Sequence, residues 1–145
     1  MEVTIALAQY PITFHTSLED WKRHTSQWVT EATERGAQLI VFPEYGSMEL
    51  TSLLEGDAKN ELSSQLKAIQ KFLPAFKNHF LSLAVELQVT IVTPSFPVLL
   101  NRNYINRTFV FSNKGEGYQD KWFMTRFENE EWGISSVEKQ ISVFK

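Results

Sequence analysis

Two short apolar runs separated by one amphipathic segment constrain this chain more than any other feature. Val3 to Tyr10 (VTIALAQY) and Ala37 to Phe42 (AQLIVF) are short, apolar and bounded by turn residues, so each reads as a buried strand. Between them Ser17 stands where a helix N-cap would, and Glu19 and Asp20 occupy a first turn that favours negative charge. Leu18, Trp21, Thr25, Trp28, Val29 and Ala32 fall on one face at helical spacing. Arg35 closes that segment, and Gly36 can take the left-handed conformation that ends a helix. Strand, helix and strand at this spacing predict a βαβ unit, and so an α/β fold. The second run is apolar throughout rather than alternating, which predicts a strand covered on both faces.

The segment from Leu62 to Leu87 carries two seven-residue repeats, Leu62, Ile69, Phe76, Leu83 and Leu66, Leu73, Phe80, Leu87. Such a stripe suits a coiled coil. Pro74 interrupts it, however, and would kink or divide a helix, so one or two helices laid on a sheet are expected. Val89 to Thr93 reads as a third strand. Tyr104 to Ser112 places Ile105, Arg107, Phe109 and Phe111 on one side, and Asn113 to Gly117 reads as a turn. Tyr118 to Trp122 would return as the second arm of a hairpin. Ile141 to Phe144 reads as a last strand. No internal repeat, low-complexity stretch or linker divides residues 1–145, which are expected to form one unit.

Composition narrows the function classes. Forty-three per cent hydrophobic and 21% charged residues in a chain of 145 suit one globular domain rather than a disordered one. A net charge of −3 offers no basic surface for nucleic acid. The absence of cysteine removes disulfides, zinc–thiolate sites and thiol nucleophiles together, and it fits a reducing compartment. The first residues lack the charged and apolar regions of a signal peptide, and no apolar run nears the roughly 18 residues that span a bilayer. A soluble, cytoplasmic chain with no membrane partner is expected.

Three places could carry chemistry. Glu44, in Phe42-Pro43-Glu44-Tyr45-Gly46, follows a buried strand directly, where open α/β sheets place their sites. A half-buried carboxylate there would have the raised pKa of a general base. It reads equally as a loop glutamate capping a following helix. Lys121 closes a strand among aromatic residues, where it could face a developing oxyanion or merely guard a solvated sheet edge. Glu128, Glu130 and Glu131 crowd the stretch Arg126 to Gly133, but no neighbouring aspartate or histidine completes a ligand set. That stretch therefore reads as an acidic turn, with no metal or cofactor expected. Ser47 lacks the Gly-x-Ser-x-Gly elbow of a serine hydrolase.

The order of these motifs is more informative than any one of them. Ala8-Gln9, Phe42-Pro43-Glu44, Ser95-Phe96-Pro97-Val98, Asn106-Arg107-Thr108 and Tyr118-Gln119-Asp120-Lys121 follow one another as in the nitrilase, or carbon–nitrogen hydrolase, superfamily, which the chain resembles. Met124 to Ser135 is similar to one bacterial branch of stand-alone members. The resemblance implies the N-terminal half of an α-β-β-α sandwich and a Glu–Lys–Cys mechanism on a small-molecule amide or nitrile, in a homo-oligomer and without a cofactor. It implies Glu44 as general base and Lys121 as the stabiliser of the tetrahedral intermediate. It also implies a second glutamate that positions substrate, matched by Glu128 with Glu130 as rival. No residue here matches the nucleophilic cysteine. The chain is therefore expected to be an inactive fragment of such a hydrolase, or else a naturally half-length, non-catalytic relative acting in binding or assembly.

Overall fold

The computed structural model of the chain describes residues 2–144. The βαβ unit is there: β1 (Ile5–Leu7), α1 (Leu18–Glu34) and β2 (Leu39–Val41), with β1 and β2 parallel. The Ser17 side chain accepts the Asp20 N–H at the head of α1. Gly36 sits at φ +85°, the left-handed geometry that turns the chain back toward the sheet. The leucine–phenylalanine stripe forms two helices, α2 (Leu62–Ile69) and α3 (Leu73–Glu86), joined by a 3₁₀ turn at Gln70–Phe72. Pro74 lies in the first turn of α3, where its missing N–H has no intrahelical partner to lose. Ile69, Phe76, Phe80 and Leu83 are buried in one core, and Leu66 is buried as well.

Four more strands complete one six-stranded sheet: β3 (Thr90–Val92), β4 (Phe96–Leu100), β5 (Asn103–Ser112) and β6 (Gly115–Asp120). β3 continues the parallel set, and β5 runs antiparallel to β3, β4 and β6. Residues of β5 from Arg107 to Phe111 are paired toward β6 while β3 or β4 takes the other side, so β5 is central. The hairpin turn is shorter than expected. Only Asn113 and Lys114 make it, and Gly115 to Gly117 join the strand, which ends before Lys121. A small helix, α4 (Arg126–Glu130), follows.

Ala6, Ile40, Ile91 and Phe111 lie in one lateral row of the register. They meet Trp21 and Val29 of α1 and Phe76, Phe80 and Ala84 of α3 in a single aromatic-rich core. The opposite face departs from the expectation of double coverage. Leu7, Val41, Val92 and Val110 form its row, the last three half-buried and Leu7 75% exposed. β2 is apolar on both sides, but one of them has no second layer among the described residues. The last expected strand is also corrected. Residues 141–144 pair with no strand, and they are tethered through the Gln119 side chain, which bonds the Gln140 carbonyl and the Ser142 N–H. Among the described residues no helix is long and apolar enough to cross a membrane, and no group of three or more ligating side chains could hold a metal ion.

Candidate active site

Strand direction brings the first two candidates together. β3 and β6 both run antiparallel to β5, so β6 points the same way as β2 and β3, and the carboxyl ends of all three open at one end of the sheet. Glu44 follows β2 and Lys121 follows β6. The Lys121 N–H bonds the Asn106 carbonyl at 2.9 Å, extending the β5–β6 ladder by one step and setting Lys121 beside Asn106. Lys121 Nζ then lies 2.9 Å from Glu44 Oε1 and 2.9 Å from Glu128 Oε2. Asn106 Nδ2 donates to the same Glu44 oxygen at 2.8 Å.

The turn bearing Glu44 is pinned rather than loose. The Tyr45 N–H donates to Ser95 Oγ at 2.8 Å, and Ser47 Oγ donates to the Ser95 carbonyl at 2.6 Å. Ser47 is thus a buried fastener and not a nucleophile. Gly46 lies so close to Pro94 that an added Cβ would fall 2.9 Å from the proline Cβ. Tyr45 itself sits at φ +55°, a strained region for a residue with a large side chain. Glu44 remains open, its side chain 51% exposed, so the burial expected of it is not realised. It does not cap the 3₁₀ helix that follows, Gly46–Leu53, whose N-cap is Tyr45.

Glu128 and Glu130 separate cleanly. Thr125 and Glu128 form a capping box at the head of α4, which turns Glu128 inward. Its side chain is only 5% exposed, whereas Glu130 pairs with Arg126 on the solvent side. The acidic stretch is therefore a capped helix and not merely a solvated turn. Burial pushes the Glu128 carboxyl up, but hydrogen bonds from Tyr45, Thr125 and Lys121 outweigh it and bring the group down to about 2. Burial lowers Lys121, and the two glutamates more than offset this, leaving the ammonium raised and firmly charged. Arg107 grips Asp120 through two bonds of 2.7 and 2.9 Å with Tyr118 stacked beneath its guanidinium, which steadies the strand end next to Lys121.

The structure brings together Glu44, Lys121 and Glu128, the three residues the motif order singles out, and adds Tyr45 and Asn106, which that order does not. Asn106 stood in the Asn106-Arg107-Thr108 motif, on the strand face opposite Ile105, Arg107 and Phe109. Its contact with Glu44 spans 62 positions of sequence and leaves no local trace.

Residues 4–138 match the family model for carbon–nitrogen hydrolases. The chain is 28% identical over 143 residues to the Bacillus subtilis (strain 168) protein named "Probable hydrolase YhcX", spanning 98% of this chain and 27% of that one. A carbon–nitrogen hydrolase from Helicobacter pylori G27 superposes with a TM-score of 0.69 at 16% identity, over 94% of this chain and 45% of the other. The NitN amidase from Neterenkonia sp. AN1 gives 0.65 at 17%, over 99% and 53%. The chain thus spans about a quarter of the curated relative and about half of each solved structure. With a family match from the first strand to beyond α4, and this mixed sheet and helix layer shared with the solved members, the chain belongs to the carbon–nitrogen hydrolase family.

Proposed function

We propose that this chain is a partial carbon–nitrogen hydrolase domain that furnishes the base and the oxyanion partner of an enzyme cleaving non-peptide amide or nitrile C–N bonds. The observation that carries the reading is the meeting of Glu44, Lys121 and Glu128 within 2.9–3.0 Å contacts at the carboxyl end of the sheet. Similarity to an amidase favours an amide substrate. For an amide, a cysteine contributed by further polypeptide gives its proton to Glu44, and the thiolate attacks the carbonyl carbon. The Lys121 ammonium stabilises the oxyanion. The C–N bond breaks as Glu44 returns the proton to the leaving nitrogen, so ammonia or an amine departs and a thioester remains. Water then attacks, Glu44 takes its proton, and the acid leaves with the thiol restored.

The 145 residues contain no cysteine, so the chain alone is expected to hydrolyse amides no faster than buffer and to take up no thiol-directed alkylating reagent. The test is ammonia release from a panel of amides and nitriles by a polypeptide that joins this chain to a cysteine-bearing second half. Glu44→Gln should lower kcat by about 10²- to 10⁴-fold, the usual weight of a general base. Turnover by the isolated chain, abolished by Glu44→Gln, would show that the nucleophile lies elsewhere.

The same lack of cysteine favours a second reading, a non-catalytic module whose half-covered sheet face serves assembly. Joined or co-expressed second halves that restore no turnover with any of the panel would support it.

A further inference from the structure

The two glutamates of the site differ in how many acceptor positions they have left. A carboxylate accepts about four hydrogen bonds. Glu128 has all four filled: Oε1 by the Tyr45 hydroxyl at 2.6 Å and Lys121 at 3.0 Å, Oε2 by the Thr125 N–H at 2.8 Å and Lys121 at 2.9 Å. Glu44 receives Asn106 and Lys121 on Oε1, and among the described residues no protein donor reaches its Oε2. An incoming proton or N–H donor finds a vacant acceptor on Glu44, whereas on Glu128 it must first displace a partner.

Tyr45 is the direct hydrogen-bonded link between the turn that carries Glu44 and the helix that carries Glu128, reaching across 83 positions of sequence to Glu128. Its left-handed backbone persists because Ser95 holds its N–H and the Trp132 ring packs against its own at 4.8 Å. We propose that Tyr45 is a positioning residue of this site: its hydroxyl fixes Glu128, Glu128 fixes the Lys121 ammonium against Glu44, and Glu44 Oε2 is left as the site's proton acceptor. On this assignment Glu128 anchors Lys121. The catalytic meaning rests on the proposed function, but the linkage itself does not require turnover.

The experiment is NMR on the 145-residue chain with ¹³C-labelled glutamate and tyrosine side chains. In the wild type the Glu128 carboxyl should stay ionised down to the lowest pH at which the fold survives. The Tyr45 phenol should stay neutral well above the ordinary value of about 10. Tyr45→Phe, which keeps the ring, should raise the Glu128 midpoint by about one pH unit or more, and Glu128→Gln should lower the Tyr45 midpoint correspondingly. Unchanged midpoints in both variants would overturn the proposal. Should either variant fail to fold, the wild type still decides: a slowly exchanging Tyr45 hydroxyl proton supports the assignment, and one in fast exchange with water defeats it. In a joined, active polypeptide, Tyr45→Phe should lower kcat and kcat/KM together with KM little changed, the mark of a lost transition-state interaction. A rise in KM alone would show that Tyr45 serves substrate binding and not the placement of Lys121, and would overturn the proposal. Absence of turnover in the wild type would count against the proposed function while leaving the NMR linkage intact.

Discussion

Lys121 stands between Glu44 and Glu128, its ammonium 2.9 Å from each carboxylate and its side chain 29% exposed. One cation therefore pairs with two anions from distant segments of the chain, and the deeper anion depends on it more. Removing the ammonium would leave Glu128 charged, nearly buried and short of two of its donor contacts.

Lys121→Met should accordingly destabilise the fold by about 1–3 kcal/mol, since the cost is that of an uncompensated buried charge moderated by partial access to water. Urea unfolding of the isolated chain would measure it. A variant as stable as the wild type would mean that solvent already screens the pair.

Gly46→Ala should cost about 1–3 kcal/mol, because a methyl group forced against the rigid Pro94 ring must shift one of two pinned segments. The shift would also disturb the Tyr45–Ser95 and Ser47–Ser95 bonds, so amide hydrogen exchange should quicken at Tyr45 specifically. Exchange that quickens evenly throughout the molecule would argue against a local lock.

Acid should weaken the protein in two windows. Burial lowers His79 from 6.5 to about 4, with Lys22 adding to the effect, while its ring pairs with Thr25 at 2.8 Å. A depressed histidine contributes stability above its unfolded value, and this is lost as pH falls from about 6.5 through about 4. Glu128, lowered from 4.5 to about 2, contributes in the same sense and loses its share between those values. Each share is on the order of 2 kcal/mol. Thermal melts from pH 7.5 to 3 should show the upper window disappear in His79→Gln and persist in Glu128→Gln. Retention of the upper window in His79→Gln would refute this assignment.

The uncovered sheet face should drive association. Leu7, 75% exposed, continues the apolar row Val41, Val92 and Val110, and Ile5, 54% exposed, lies beside Leu39 on the same face. Contiguous apolar surface of this kind promotes self-association unless another layer covers it. Light scattering should report oligomers of the isolated chain, and Leu7→Lys should shift them toward monomer with little loss of folding. A well-dispersed wild-type monomer with cooperative melting would show that one face suffices.

Helices α1 to α3 and most of the strands were readable because hydrophobic periodicity is a local property, whereas α4 was read as a turn. Trp21, Thr25 and Val29 recur at helical spacing, and β2 is a run of adjacent apolar residues, whatever the remainder of the chain does. The order of motifs likewise pointed to Glu44, Lys121 and Glu128. Tertiary structure alone decided what those side chains touch. Asn106 reaches Glu44 because β5 lies between β3 and β6 in one register, and a slip of one residue would send it to the other face. The division of labour between Glu128 and Glu130 depended on which one the Thr125 cap turned inward. Glu49, in Met48-Glu49-Leu50, is buried and accepts the Tyr10 hydroxyl and the Trp21 indole N–H at 2.6 and 2.8 Å. A carboxylate can be buried wherever enough donors converge on it, and convergence across distant segments has no periodicity for a sequence to display.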